Sequence, residues 1–474
     1  MGLKVNELGE LISETERDAT SKCGQIQDKD VIVLIGCTGS GKTTLSVYCQ
    51  GTDFDYVDGG KLKERVPMEG FEIGGRRESK TRGLLVAQEP TVDGLVLVDL
   101  AGTGDTAGTA PDLCGAIYRS SVLRAARSVR VVLVLGLDRA KLSNERGKGI
   151  VRDVEHAAGL FKDVERHSSS VGMVVTSDPS VLVRPAPALT ILESMKDAFE
   201  DLVESATPAE DMGGEDMPMS GMEITDAGMA LLRHLSHHCQ RACALADAVK
   251  EGDDESFLAK LVSEHCAVFP VNVLRREQRA ALQQYLSSVK PVERPSADMI
   301  YRLPAECKGN LTAALDQEVA VARRLLGGKG VAWATDSKLP DALLSLLQLL
   351  TVLEARQLLP WAQDVKQELC VLLLEQNKKA VADLLEGAAL GNSPKLEGTL
   401  EALLAMDAFR KDLSKRIPSL SLPDWSSPPS AMSEGIARAR EELSTLLPSG
   451  VAGAKWDAGL AKRVVDIMGA VEKL

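Results

Sequence analysis

Residues 36–43 read G-C-T-G-S-G-K-T, a phosphate-binding P-loop that constrains the fold more than any other part of the chain. The pattern requires a glycine, four free positions, and then Gly-Lys followed by Ser or Thr. Residues 31–35 form an unbroken apolar run, typical of a buried parallel strand, and residues 43–50 can form a helix. A strand, this loop and a helix in that order predict an α/β sheet with a phosphate site.

The chemistry of the loop assigns roles to its residues. Glycines let successive backbone N–H groups point inward at phosphate oxygens, and the helix N-terminus adds its own donors. We expect Lys42 to reach the β- and γ-phosphates as binding and catalytic cation, and Thr43 to ligate Mg²⁺. The side chain of Cys37 is expected to be incidental, with its backbone contributing to the loop.

A second motif follows another apolar strand at residues 95–99. Asp99 and Gly102 form D-x-x-G at the end of this strand. Asp99 is placed to hold Mg²⁺ directly or through water. The N–H of Gly102 is placed to contact a γ-phosphate.

The remaining pattern of residues 1–205 alternates strands and helices. Strands are predicted at 84–87, 131–135 and 171–176, the first of them antiparallel to the strand at 95–99. This order predicts a mixed, mostly parallel α/β sheet whose ligand lies at the carboxyl ends of the strands.

On these motifs the chain resembles GTPases of the translation-factor-related class, in particular septin-like and immunity-associated GTPases. The resemblance covers the first predicted domain. It implies a P-loop NTPase fold, binding of GTP and Mg²⁺, slow hydrolysis and frequent nucleotide-controlled dimerisation. It also implies that Thr81 is a catalytic and Mg²⁺-binding switch threonine; Ser79 is the alternative, and an exposed loop threonine is a third reading.

Two departures from this family keep other functions open. The guanine-reading motif is expected at residues 176–179, which read T-S-D-P and contain no lysine, so that Asp178 either reads the base or caps a turn. Thr103 replaces the glutamine that orients water in Ras-like enzymes. An ATP-using P-loop NTPase and a non-hydrolysing nucleotide-binding scaffold are therefore the alternatives.

The predicted nucleotide-binding residues are Gly36, Cys37, Thr38, Gly39, Ser40, Gly41, Lys42, Thr43, Thr44, Gly102 and Asp178. The predicted metal ligands are Thr43, Thr81 and Asp99.

The second half of the chain has a different composition. Residues 206–222 are acidic and rich in Gly, Pro and Met, which predicts a linker, and residues 223–474 show Leu/Ala-rich segments at helical spacing. We therefore predict an all-α domain of one or two bundles. One predicted helix carries His234, His237, His238, Cys239 and Cys243. Metal binding by this cluster stays open, beside the interpretation as buried thiols and interhelical histidines.

Composition sets the remaining expectations. The net charge of −13 argues against binding to nucleic acid, which requires a basic face. The first 22 residues lack a secretory pattern, no apolar run is long enough to span a bilayer, and nine scattered cysteines fit free thiols. We expect a cytoplasmic protein with a protein partner or a homodimer.

Overall fold

The computed structural model describes most of the chain in two compact units. The residues described are 5–37, 39–57, 61–65, 83–87, 94–100, 109–137, 148–177, 188–206, 224–249, 253–299, 303, 305–328, 332–336, 338–390, 393–420, 422, 425–446 and 458–473. One unit, here called the sheet unit, is Ser13–Cys307. The other, the helical unit, consists of Met1–Ile12 and Lys308–Leu474.

A six-stranded sheet forms the centre of the sheet unit. Its strands, with an additional antiparallel pair β2–β3, are β1 (Asp30–Ile35), β2 (Phe54–Val57), β3 (Lys61–Glu64), β4 (Leu84–Val86), β5 (Val96–Leu100), β6 (Ser128–Leu137), β7 (Val171–Ser177) and β8 (Val268–Val271). The order across the sheet is β4-β5-β1-β6-β7-β8, and only the β4–β5 pair is antiparallel. The predicted mixed, mostly parallel sheet is therefore confirmed.

Helices connect and cover these strands. They are α1 (Val5–Cys23), α2 (Lys42–Cys49), α3 (Thr109–Ala125), α4 (Lys148–Ala158), α5 (Val164–His167), α6 (Ala188–Ala206), α7 (Asp226–Ala246), α8 (Asp254–Ser263), α9 (Gln278–Ser288) and α10 (Pro295–Asp298). The central strands read as continuous apolar runs because helices on both faces of a parallel sheet exclude water. Residues 31–35 of β1 are all buried.

Strand β8 lies in the half of the chain for which the sequence indicates helices alone. It pairs in parallel with β7 at the edge of the sheet, with Pro270 opposite Val175. Proline has no N–H for a sheet ladder and is tolerated on edge strands. The four-residue strand around this proline reads as a helix break in the sequence, so the pattern alone does not reveal it.

The division into units differs from the division predicted from sequence. The sequence predicts a boundary at the 206–222 linker, of which 207–222 lie outside the described residues. In the structure, α7, α8, β8 and α9 belong to the sheet unit, which extends to Cys307. The physical reason is that β8 completes the sheet and α7 packs on α4 and α6.

The regular secondary structure described in the helical unit beyond Lys308 consists of helices. They are α11 (Ala305–Leu326), α12 (Ala332–Thr335), α13 (Leu339–Ala355), α14 (Ala362–Leu390), α15 (Ser393–Arg416), α16 (Pro428–Leu446) and α17 (Ala458–Lys473). The long helix α14 packs against α13, α15, α16 and α17. Eight residues of α13 are buried, all of them Leu or Val. Nowhere in the described ranges is a helix both long and apolar enough to cross a membrane.

We predict that Tyr285→Phe destabilises the sheet unit. The hydroxyl of this buried residue donates to the carbonyl of Ala267 at 2.6 Å and accepts the N–H of Met173 at 2.9 Å. Loss of the hydroxyl removes hydrogen bonds that attach α9 to the edge of the sheet, while the N–H of Met173 keeps its 2.7 Å bond to the carbonyl of Ala267. We expect the free energy of unfolding to fall by about 1–2 kcal/mol in urea titrations. A change below about 0.5 kcal/mol, as at an ordinary surface position, would contradict this.

Candidate functional site

The P-loop lies where the connections of the sheet diverge. From β1 the chain passes to β4 and β5 on one side, whereas from β6 it continues to β7 and β8 on the other. In open α/β sheets, ligands bind at the carboxyl ends of the strands beside such a switch point. The loop between β1 and α2 occupies this position.

Glycines give the loop its path. Gly36, Gly39 and Gly41 have φ values of 144°, 83° and 95°, which are unfavourable for residues with a Cβ. Gly36 also lies against β6, since a Cβ there would come within 2.4 Å of the carbonyl oxygen of Val134. The loop ends at Lys42, the first residue of α2, so its backbone leads directly into a helix N-terminus.

Lys42 is a buried cation with defined partners. Its Nζ donates to the carbonyl oxygens of Gly36 and Cys37, both at 2.9 Å, and the side chain is only 6% exposed. Burial lowers the pKa of Lys42, while Asp99 and Asp153 raise it. The two carbonyls take two of the three ammonium donors.

Thr43 and Asp99 meet beside this lysine. The hydroxyl of Thr43 donates to Oδ2 of Asp99 at 2.6 Å, so the two predicted Mg²⁺ ligands lie together. Asp99 is fully buried, and its Oδ1 has no hydrogen-bond partner among the described residues. Burial raises the pKa of Asp99, opposed by Lys42 and by the bond from Thr43. A buried carboxylate oxygen without a partner, next to a hydroxyl, fits Mg²⁺, which takes few protein ligands and keeps waters and phosphate oxygens.

A residue of β7 contacts the P-loop near its carboxyl-terminal end. The hydroxyl of Thr176 lies 3.1 Å from the carbonyl oxygen of Ser40 and 3.3 Å from that of Leu135. Ser40 is buried, and within the part of the chain that the structure describes its Oγ has no hydrogen-bond partner, while Thr44 is half-buried in the first turn of α2. The first residue of the predicted guanine-reading segment thus contacts the loop itself.

Two helices place further ionisable side chains beside the loop. The sequence patterns named Arg119 only as one of several possible charge stabilisers and did not reveal Asp153. Asp153 of α4 and Arg119 of α3 are 2% and 4% exposed. Nη1 of Arg119 lies 3.5 Å from Nε2 of His156, whose pKa is lowered well below its usual value by burial and then by Arg119. Burial raises the pKa of Asp153, opposed first by a hydrogen bond from Cys37 and then by Lys42. The apolar spacing of α4 gave no signal for this, because a lone aspartate in a helix reads as a solvent-facing residue.

Four predicted site residues fall outside the described part of the chain. These are Thr38, Thr81, Gly102 and Asp178. Ser79, the alternative to Thr81, is outside it as well. The roles of these residues remain predictions. Of the other predicted site residues, the structure brings Lys42, Thr43 and Asp99 together.

The histidine and cysteine cluster of α7 makes packing contacts. The rings of His234 and His238 are 4.6 Å apart, and Nδ1 of His238 accepts the backbone N–H of Ala267 at 3.1 Å. Burial lowers the pKa of His238 to about 4. Across the ranges the structure describes, no group of three or more His, Cys, Asp or Glu side chains is arranged to hold a metal ion.

Comparisons of the chain with known protein families and with curated proteins found no match. The function is therefore inferred from the geometry of the site and from the motifs that form it.

We predict that Gly36→Ala damages the loop. A Cβ at this position would collide with the Val134 carbonyl in a backbone conformation that favours glycine. We expect a cost of about 1–3 kcal/mol in the free energy of unfolding. The measurement is thermal and urea unfolding beside Gly24→Ala, a matched control because a Cβ at Gly24 meets nothing within 4 Å. Equal stability of the two variants would contradict the prediction.

Proposed function

We propose that the sheet unit is a P-loop NTPase domain that binds GTP with Mg²⁺ and hydrolyses it slowly. In this proposal the nucleotide state controls how the helical unit engages a protein partner or a second copy of the chain. The activity is that of a GTPase switch rather than of an enzyme with high turnover.

The observation that carries the proposal is the placement of Lys42. Two carbonyls of the loop hold its ammonium group. The third donor of an ammonium group is then available for an oxygen of a β- or γ-phosphate. A buried lysine held in this way at a helix N-terminus supports binding of a polyphosphate, because the anion would offset the cost of burying the cation.

The hydroxyl of Thr43 and the carboxylate of Asp99 support the proposal that the site binds a metal ion. Thr43 and Asp99 would hold Mg²⁺ with Thr81, and the metal would supply charge neutralisation at the phosphates. Asp99 and Thr43 would hold the cation, while Lys42 would contact a phosphate oxygen of the nucleotide. Gly102 would contact the γ-phosphate through its N–H.

The choice of guanine comes from the family resemblance. Asp178 would accept hydrogen bonds from the guanine ring in a loop without the usual lysine. Slow hydrolysis is proposed because Thr103 stands where Ras-like enzymes carry glutamine. The absence of glutamine at position 103 also favours a second candidate function, a scaffold that binds nucleotide without hydrolysing it.

Single-turnover hydrolysis tests this proposal. Purified protein in excess over radiolabelled Mg·GTP or Mg·ATP is followed for release of phosphate, with and without EDTA. We expect slow, Mg²⁺-dependent release from GTP. Faster release of phosphate from ATP would show that the site prefers adenine to guanine. Tight binding of GTP without release of phosphate would favour the scaffold.

A further inference from the structure

An arginine of α9 contacts the end of α2 that lies opposite the P-loop. Nη2 of Arg279 donates to the carbonyl oxygen of Thr52 at 2.8 Å and to Oδ1 of Asp53 at 2.6 Å. Its guanidinium carbon lies 4.8 Å from the centroid of the buried ring of Tyr48. The guanidinium group therefore contacts both the last turn of α2 and the chain that follows it.

A second side chain of α9 binds the end of α2 itself. Nε2 of Gln283 donates at 2.8 Å to the carbonyl oxygen of Cys49, one of the last four carbonyls that have no partner within a helix. Arg279 and Gln283 are four residues apart, so they share one face of α9. The hydroxyl of Tyr48 adds a bond to the carbonyl oxygen of Arg275, just before α9, at 2.5 Å.

The helix α2 connects these contacts to the P-loop. Its eight residues, from Lys42 to Cys49, form about two hydrogen-bonded turns. A helix this short moves as one piece, so the position of its last turn determines that of Lys42 and Thr43. The bonds from Lys42 to the carbonyls of residues 36 and 37 are internal to the loop and do not attach the helix to another element. The contacts with α9 do.

Packing alone does not require an arginine at position 279. Its side chain is only 14% exposed, and burial of a guanidinium group is unfavourable unless hydrogen bonds and opposite charge compensate it. The compensation comes from Thr52 and Asp53, directly after α2. Arg276 lies 3.8 Å from the same carboxylate but is 77% exposed, and such an exposed pair contributes little.

We propose that Arg279 is a positioning residue of the nucleotide site: by attaching the C-terminal end of α2 to α9, it fixes Lys42 and Thr43 at the other end of the helix. The effect on nucleotide affinity rests on the proposed function, whereas the attachment of α2 does not. Arg279 follows the linker predicted at 206–222. The nucleotide site therefore depends on a segment outside the domain that the sequence motifs define.

The first arm of the test needs no nucleotide. Hydrogen exchange is read at single amides by mass spectrometry with fragmentation. The amide of Thr52 bonds to the carbonyl of Val47 and reports the attached end of α2. The amide of Leu45 bonds to the carbonyl of Gly41 and reports the end at the P-loop. Loss of hydrogen bonds to a charged group predicts that both amides exchange roughly 10- to 100-fold faster in Arg279→Ala.

Two control variants separate the attachment of α2 from charge and from stability. Arg276→Ala removes a positive charge near the same carboxylate, but from an exposed side chain. Thr225→Ala removes the side-chain cap of α7, which accepts the N–H of Gly228, and so destabilises the same unit without touching α2. In both controls the two amides should exchange as in wild type.

The second arm measures the affinity for Mg·GTP by isothermal titration calorimetry. If α2 is in the binding-competent position for only part of the time, affinity falls in proportion, so Arg279→Ala should bind about tenfold more weakly. Arg279→Lys should lie between the two, because an ammonium group can pair with Asp53 but has no planar group to lie over Tyr48. Arg276→Ala and Thr225→Ala should bind as wild type. A residue that only stabilised the fold would behave as Thr225→Ala.

The two arms separate the outcomes. Faster exchange at both amides, with no nucleotide binding by wild type, would support the attachment of α2 and reject the proposed function. Unchanged exchange at Leu45 would overturn the inference, whatever the nucleotide affinity. Equal affinity of wild type and Arg279→Ala for Mg·GTP, where wild type binds, would also overturn it. If Arg279→Ala does not fold, Arg279→Lys decides by the same two measurements.

Discussion

Lys42→Ala should abolish binding of Mg·GTP over the concentration range in which wild type saturates. The substitution removes the buried cation that the Gly36 and Cys37 carbonyls hold for a phosphate oxygen. Loss of one partner of a buried charged hydrogen bond costs about 2–5 kcal/mol. The dissociation constant should therefore rise by roughly 30- to several thousandfold in isothermal titration calorimetry.

The control for this variant is Lys290→Ala, at an exposed lysine beyond the end of α9. It removes the same charge from the same unit without touching the loop, and its affinity should equal that of wild type. Thermal unfolding establishes that Lys42→Ala is folded, which matters because Asp99 and Asp153 lose a counter-charge. Wild-type affinity in a folded Lys42→Ala protein would reject the site.

Asp99→Ala should remove the dependence of nucleotide binding on Mg²⁺. The buried carboxylate of Asp99 accepts the Thr43 hydroxyl, and its Oδ1, without a hydrogen-bond partner among the described residues, is the atom available to the metal. We expect the ratio of affinities with Mg²⁺ and with EDTA to fall by roughly 10- to 100-fold. Titrations of GTP in each buffer measure this ratio.

Asp99→Asn provides the variant that keeps the shape of the side chain. It can still accept the Thr43 hydroxyl but carries no charge, so it should show the same loss of Mg²⁺ dependence with smaller structural change. Asp30→Asn is the matched control, because Asp30 begins β1 at the end of the sheet opposite the loop and pairs with Arg127. An unaltered Mg²⁺ effect in both Asp99 variants would show that the metal is held elsewhere.

The sequence predicts those parts of the site that depend on local order along the chain. The apolar runs at 31–35 and 95–99 are long enough to be read as buried strands, and the P-loop and Asp99 follow them directly. Parallel strands bring their carboxyl ends to the same edge. The proximity of Lys42, Thr43 and Asp99 therefore follows from the motifs once the sheet is assumed.

The sequence patterns could not predict contacts that depend on how helices and strands distant in the chain pack together. Asp153 is buried on α4, which packs on β6 and α7, and no spacing within α4 distinguishes it from a surface acid. Strand β8 has four residues, one of them Pro270, and it is a strand only because β7 offers it an edge. The extent of the sheet unit was missed for the same reason, since the helices after the linker pack on elements that precede it.

The most direct test of the central claim is an equilibrium titration of wild-type protein with GTP, GDP and ATP in the presence of Mg²⁺. We predict micromolar or tighter binding of the guanine nucleotides, with ATP much weaker and with binding lost in Lys42→Ala. Saturable binding of ATP at equal or higher affinity would contradict the assignment of the base. If none of the three nucleotides binds, the proposed nucleotide-binding function is contradicted as a whole.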